Sequence, residues 1–390
     1  MDGQIFCQGF GMCIDKTYQL KILKNVLYIV AILLSVNSYS SNLPLTNDDI
    51  YRVEHPEGMQ IMSAIITPNE SLTLIYEHFY NYDMKAGELR YSKLKLTPTS
   101  ILSSKPMTLE FENNKQVNFR TGVSSIKINN VEWLYFVESE TTYHKPASLY
   151  RAQWGSNNKL VNRQLLSLPT AIAAGSAPKW YLLNNGKVAL VYRSKPYSGC
   201  CQLLFSLSND GINFDKPVEI GSGGAMPALA MFSSNELIYT FQTQFTSKAD
   251  DSDEQGKSGM RTHFRLSTNN GDDWGKSIPI TTRVEEVHDA SPIQRKDGNV
   301  DVYYSSIDSK EHDSFTLWRR CVSSSGKLGN EELVVNRSVG NIAKVSPHRL
   351  SDGSLLLTFV EQGKVYSEGD HNLHAAKILS DAKCGFVVAL

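Results

Sequence analysis

The chain has 390 residues, with 39 Lys and Arg against 40 Asp and Glu and a formal charge of -1, so it carries no basic footprint for a nucleic-acid partner or an anionic membrane surface. Aromatic residues make up 10%, with 18 Tyr and 15 Phe, and stretches of helical periodicity are scarce, which favours half-buried strands over a helical bundle. The length exceeds that of a typical single domain, yet a closed all-β repeat architecture absorbs it as one unit.

At the N-terminus Lys16, Lys21 and Lys24 precede the apolar run from Val26 to Val36, which is followed by Ser38, Tyr39, Ser40 and Ser41. That order predicts a signal peptide over residues 1–40, cleaved near Ser40 or Ser41, and export of residues 41–390 to the periplasm or the extracellular space. The apolar run is shorter than the roughly 20 residues that span a bilayer, so no transmembrane span is expected after cleavage. The residues before Met12 are oddly placed for such a signal, which makes Met12 a candidate start. No Cys follows the run at a lipoprotein position.

Downstream, one pattern recurs roughly every 50 to 60 residues: a small residue, often Pro, an apolar stretch, a turn with Gly or Asn, and a strand ending in an aromatic. It occupies Ser63 to Glu77, Ser124 to Glu138, Ala177 to Arg193, Met226 to Gln242, Ser291 to Ser306 and Ser346 to Glu361. Asn-Asn-Gly, Asp-Gly or similar pairs supply the positive φ of a tight hairpin. A third and a fourth strand follow each copy, as at Leu203 to Leu207 and Phe264 to Ser267. Six such units predict an all-β, six-bladed β-propeller of four-stranded antiparallel blades, in one domain over 41–390.

Outside the presumed signal lie Cys200, Cys201, Cys321 and Cys384. In an oxidising compartment a Cys321 to Cys384 bridge and a vicinal Cys200 to Cys201 bond are both open, as are unpaired thiols. None shows metal-ligand spacing. The loop Asp250-Asp251-Ser252-Asp253-Glu254-Gln255-Gly256 lacks the bidentate Glu of a calcium loop and is expected to be solvated. There is no phosphate-cradling Gly loop, HExxH or GxSxG, so neither a cofactor nor a metal is expected.

Two turns between the third and fourth strands carry the sharpest motif. Ser267-Thr268-Asn269-Asn270-Gly271-Asp272-Asp273-Trp274 resembles the Asp box S-x-D-x-G-x-T-W, and Ser208-Asn209-Asp210-Gly211-Ile212-Asn213-Phe214 resembles its shorter form. In both, a short polar side chain bonds the turn backbone, Gly takes the positive φ, and an aromatic tucks between strands. From Ser63 onward the chain therefore resembles the sialidase-like, Asp-box (BNR repeat) propellers. The resemblance implies a glycan or small sugar as substrate and an exo-acting glycoside hydrolase as the activity, in a monomer. The sialidase motif F-R-I-P is echoed by Phe119-Arg120-Thr121-Gly122, which retains Phe-Arg and lacks Pro. The nucleophilic Tyr of those enzymes, eight positions before the last blade's Asp-Gly, falls on Lys344. Asp83 is a candidate for their acid/base Asp. The Ala-Pro strand starts of five-bladed arabinanase-type propellers are echoed by Ala177-Pro178.

Residues ending the second strand of each unit are Glu77, Glu138, Arg193, Gln242, Ser306 and Glu361. A ring of this composition at the channel mouth suits acid and base catalysis with substrate positioning. The expected catalytic carboxylates are Glu77, Glu138, Glu361 and Asp289; Arg120, Arg193, Gln242, His288 and Lys344 are expected to bind substrate. Loops beyond the ring add His78, Tyr80, Tyr82, Tyr143, His144, Tyr197, Asp308, His312, Asp313, Asp370 and His371, a mixture that suits sugar recognition. The competing expectations are that Glu138 or Glu361 merely bridges Arg120, Arg193 or Lys344, and that the propeller binds a glycan or protein without catalysis.

Overall fold

A computed structural model describes residues 43–54, 59–66, 72–79, 86–97, 100–112, 117, 119–141, 145–155, 157–194, 202–246, 258–281, 287–307, 315–335, 341–362, 371–379, 381 and 383–386. The expected signal peptide, Cys200, Cys201, Asp83, the acidic loop from Asp250 and the loop residues Tyr80, Tyr82, Tyr143, His144, Tyr197, Asp308, His312, Asp313 and Asp370 lie outside them.

The strands form six blades. Blade I contains Met59–Ile66, Leu72–Phe79 and Gly87–Leu96, edged by the short strands Ile101–Ser103 and Met107–Thr108. Blade II is Phe119–Ile128, Val131–Ser139, Pro146–Trp154 and Lys159–Leu165, and blade III is Lys179–Leu182, Val188–Arg193, Gln202–Ser208 and Val218–Ser222. Blade IV is Gly224–Met231, Leu237–Thr246, Ser258–Ser267 and Ile278–Pro279; blade V is Val287–Gln294, Val300–Ile307, Phe315–Val322 and Leu328–Val335. Blade VI takes Asn341–Arg349, Leu355–Gln362 and Asn372–Ile378 from the C-terminal end of the chain and its fourth strand, Ile50–Glu54, from the N-terminal end. This shared blade closes the ring, leaving no open edge between first and last units. A six-blade count sets aside the five-bladed alternative.

Along the second strands successive buried side chains point to opposite faces, so both faces of a blade are buried between neighbours. Leu229, Tyr239 and Phe241 of blade IV pack on Ala189, Val191 and Phe205 of blade III, while Ile238 packs on Val302 and Tyr304 of blade V. Each of the larger aliphatic and Phe side chains buried in this way contributes about 1.5 to 3 kcal/mol. The hairpins are built as their turn residues require, with positive φ at Asn129, Asn130, Gly186, Asn235, Gly298 and Gly353.

The two polar turns after the third strands of blades III and IV fasten adjacent blades. Asp210 Oδ1 accepts from Ile212 N (2.7 Å), Asn213 N (2.8 Å) and the Ser208 hydroxyl (2.8 Å). In the second turn Asn269 Oδ1 accepts from Asp273 N at 2.9 Å, and Trp274 Nε1 donates to Gly271 O at 3.0 Å. The Trp274 ring meets Phe205 of blade III and Tyr239 of blade IV edge-on at 5.5 and 5.6 Å. At Gly271, with φ +95°, a Cβ would come within 2.2 Å of the Phe205 ring, so only glycine fits. Cys321 of blade V is disulfide-bonded to Cys384 in the C-terminal tail.

One device recurs that the repeat pattern does not announce. The inner strands carry β-bulges between Thr121 and Ser124, Ala225 and Ala228, His288 and Ser291, and Ala343 and Ser346. The bulged residues Gly122, Met226, Asp289 and Lys344 adopt left-handed backbone, with φ of 67°, 49°, 53° and 54°, and Ala177 at the entry to blade III does the same at 48°. A bulge re-aims its side chain. Non-glycine residues there carry roughly 1 to 2 kcal/mol of backbone strain each.

Candidate functional site

The bulges of blades V and VI bring Asp289 and Lys344 together at the propeller axis. Lys344 Nζ lies 2.9 Å from Asp289 Oδ1, and Lys344 N donates to Asp289 Oδ2 at 3.2 Å. From blade IV, Gln242 Oε1 accepts the Asp289 backbone N–H at 3.0 Å, which holds the strained residue in place. Lys179 and Met226 share a small cavity with this pair, walled by Ser291 and Ser346. Burial works to raise the Asp289 carboxyl, but the charges of Lys344 and His288 and the hydrogen bonds from Lys344 outweigh it and hold it below the ordinary range.

Glu77, two residues before the end of its strand in blade I, is 1% exposed. Its Oε1 accepts the N–H of the bulged Gly122 of blade II at 2.5 Å. Oε2 is buried with no hydrogen-bond partner. Burial pushes the carboxyl up to about 7, against the smaller opposing effects of hydrogen bonds from Thr121, Gly122 and Val123 and the charge of Lys179. Lys179 is itself brought down to about 8 by burial first; Asp289 and Glu77 pull it up, and Lys344 pushes it down. Two carboxylates and two lysines are thus electrostatically linked, one carboxylate favouring its proton and the other its charge.

The remaining expected site residues divide according to strand alternation. Glu77, Arg193 and Gln242 lie on the strand faces that meet the following blade, with Ile75, Val191 and Ile238. Glu138, Ser306 and Glu361 share faces with Phe136, Tyr304 and Phe359, which meet the preceding blade. The expected single ring is therefore two sets pointing in opposite directions. Glu138 is held by Arg120 Nε at 3.0 Å on one oxygen and by Arg163 on the other. Arg120 lies over the Phe111 ring at 4.1 Å and Arg163 over Tyr150 at 3.8 Å. This cluster borders a cleft of about 250 Å³ toward the rim of blade II, away from the axial cavity. Glu361 Oε2 lies 2.8 Å from His374 Nε2, and the His374 ring stacks on Phe359. Arg193 Nε donates to Gly175 O at 2.9 Å, and His288 stands edge-on to Phe315 at 4.9 Å. His78 and His371 are both buried.

Lys179, Arg163 and His374 escaped the sequence reading. Lys179 was discoverable: it sits two residues after Ala177, at the inner-strand position held by Ser291 and Ser346 in blades V and VI, so a cation there breaks the repeat. Arg163 and His374 belong to outer strands and carried no such signal. Among the described residues no three His, Cys, Asp or Glu side chains converge as a metal site, and no helix is long and apolar enough to cross a membrane.

No protein-family model matches the chain, and no curated protein matches its sequence. Solved structures do match in fold. The K499G mutant of NanB sialidase from Streptococcus pneumoniae aligns with a TM-score of 0.57 at 9% identity, over 88% of this chain and 72% of its own. An α-L-arabinanase from Penicillium chrysogenum, in complex with arabinobiose, gives 0.56 at 12% identity over 86% and 98%. A family PL25 ulvan lyase gives 0.54 at 8% identity over 86% and 85%. The chain is a six-bladed β-propeller, and it is this fold that it shares with those structures.

Proposed function

We propose that the protein is an exported carbohydrate-active enzyme, an exo-acting glycoside hydrolase of sialidase-like type, working at the axial group of Glu77, Asp289, Lys344 and Lys179. The observation that carries this reading is the split between two carboxyls: Glu77 pushed up to about 7 and Asp289 held below its ordinary range. Such a split is how one site at neutral pH supplies both an acid and a base. Glu77 gives its proton to the glycosidic oxygen as the bond to the anomeric carbon breaks. Asp289 either takes a proton from the attacking water or attacks that carbon itself, according to the spacing of the carboxyls across the substrate. Lys179, Arg193 and Gln242 orient the sugar. The fold neighbours named for glycan cleavage support the substrate class, and the two polar turns, read as Asp boxes, support the sialidase-like type. Export is supported by the Cys321–Cys384 disulfide, a bond that persists in oxidising compartments.

The test is turnover by the purified protein on a panel of chromogenic glycosides that includes sialosides and arabinosides. Activity is expected on at least one, with Glu77→Gln and Asp289→Asn each lowering kcat by about 10² to 10⁴. Turnover unchanged in both variants would remove these residues from the mechanism. A second reading, a glycan-binding propeller without catalysis, is favoured by one observation: Lys344 replaces the sialidase Tyr and occupies Asp289. Binding without turnover across the panel selects it.

A further inference from the structure

A second charged groove lies between blades III and IV, away from the axial cluster. In the third strand of blade IV, Arg261, His263 and Arg265 alternate, and the register pairs them with Thr243, Phe241 and Tyr239, so all three lie on the face toward blade III. The groove beside them, about 390 Å³, is lined by Arg265, Thr243, Ser277 and the segment Glu219 to Ser222. Arg265 Nε is buried there with no hydrogen-bond partner, and among the described residues no carboxylate pairs with the guanidinium. A buried donor without a partner in a native fold calls for an explanation, a missing ion or ligand among them. Gly221 places no side chain over the guanidinium: a Cβ there would stand 3.8 Å from Arg265 Nη2, with nothing else within 4 Å. His263 Nδ1 lies 3.1 Å from the Ser277 hydroxyl, and the ring stacks on Phe241, fixing the groove's floor. The Glu219 carboxylate at the rim is engaged by the Gln202 amide at 2.8 Å.

We propose that this groove is an oxyanion-binding site, with the Arg265 guanidinium as the principal charge and the Ser222, Thr243 and Ser277 hydroxyls completing it. The ligand chemistry is a sulfate or carboxylate group, either a free ion or a substituent on a sugar chain. Guanidinium with flanking hydroxyl donors matches such groups by charge-assisted, paired hydrogen bonds. The site stands apart from the axial carboxylates and does not depend on catalysis.

The test is calorimetric titration of the intact protein with three probes: inorganic sulfate, a sulfated cellotetraose and neutral cellotetraose. Saturable binding of sulfate or of the sulfated sugar is expected, weakened about tenfold or more in Arg265→Gln and less in Arg265→Lys. Gly221→Trp, which fills the groove and leaves the charge intact, is expected to cause the same loss and serves if the arginine variant folds poorly. Preference for the sulfated sugar identifies the glycan substituent as the ligand, and equal affinity for inorganic sulfate identifies the free ion. The proposal is overturned if neither anionic probe binds, if neutral cellotetraose binds as tightly, or if Arg265→Gln and Gly221→Trp leave the affinity unchanged.

Discussion

Replacing Glu77 by Gln should remove a pH-dependent loss of stability from the folded protein. The carboxyl sits 1% exposed, with Oε1 on the Gly122 N–H and Oε2 unpartnered. Its pKa rises from 4.5 in the ordinary state to about 7 in the fold. The folded state therefore holds this proton more tightly than the unfolded chain. The stabilisation is complete below pH 4.5 and is lost as pH climbs through about 7. The rise corresponds to about 3 kcal/mol at full effect. Gln keeps an acceptor for Gly122 and mimics the protonated acid, so the variant should match wild type near pH 4 and exceed it by about 2 to 3 kcal/mol near pH 8. Urea unfolding at a series of pH values, followed by tryptophan fluorescence, measures the difference. A stability gap that stays constant from pH 4 to 8 would refute the assignment of a raised pKa to Glu77.

Other perturbations test separate parts of the fold. Cys321→Ser opens a covalent link that spans 63 residues and should cost about 4 kcal/mol by loop-entropy reasoning, read as a lower thermal midpoint that dithiothreitol reproduces in wild type. Asp210→Ala removes the acceptor of two backbone N–H groups and the Ser208 hydroxyl, for a loss of about 1 to 3 kcal/mol with any glycosidase activity intact. Glu138→Ala leaves Arg120 and Arg163 facing each other without their shared carboxylate and should destabilise by about 2 to 4 kcal/mol, whereas Glu138→Gln should retain turnover. Loss of turnover in Glu138→Gln at unchanged stability would return that residue to the catalytic set.

The architecture was readable because its signals are local. A hairpin turn such as Asn129-Asn130 or Asp297-Gly298 announces itself through residues that tolerate positive φ, and burial on both faces makes the strands after it continuously apolar. The closure of the ring was not readable, since the strand Ile50–Glu54 pairs with Asn372–Ile378 across the whole chain. The site was only partly readable for a more specific reason. The end of a second strand can be placed from its sequence, but that place does not say which face its last side chains take. Alternation has period two, so an offset of one residue is enough to send Glu138 and Glu361 toward the preceding blade while Gln242 meets the following one. The bulges themselves left no trace, because Ala177, Met226, Asp289 and Lys344 are not residues that advertise left-handed backbone. That same disguise marks Asp289 and Lys344 as unusual: strain of this kind persists only where surrounding structure enforces it, and it collects at functional sites.

The claim on which the proposed chemistry stands is that the two axial carboxyls hold different protonation states near neutral pH. Carbon-detected NMR titration of the Asp and Glu side-chain carboxyls, in wild type, Glu77→Gln and Asp289→Asn, measures it directly. One glutamate signal, missing from Glu77→Gln, should titrate near 7, and one aspartate signal, missing from Asp289→Asn, should remain ionised below the ordinary 3.8. If every glutamate titrates below roughly 5, or if the Asp289 signal gains its proton at or above the ordinary aspartate value, the axial group is not the acid and base pair described.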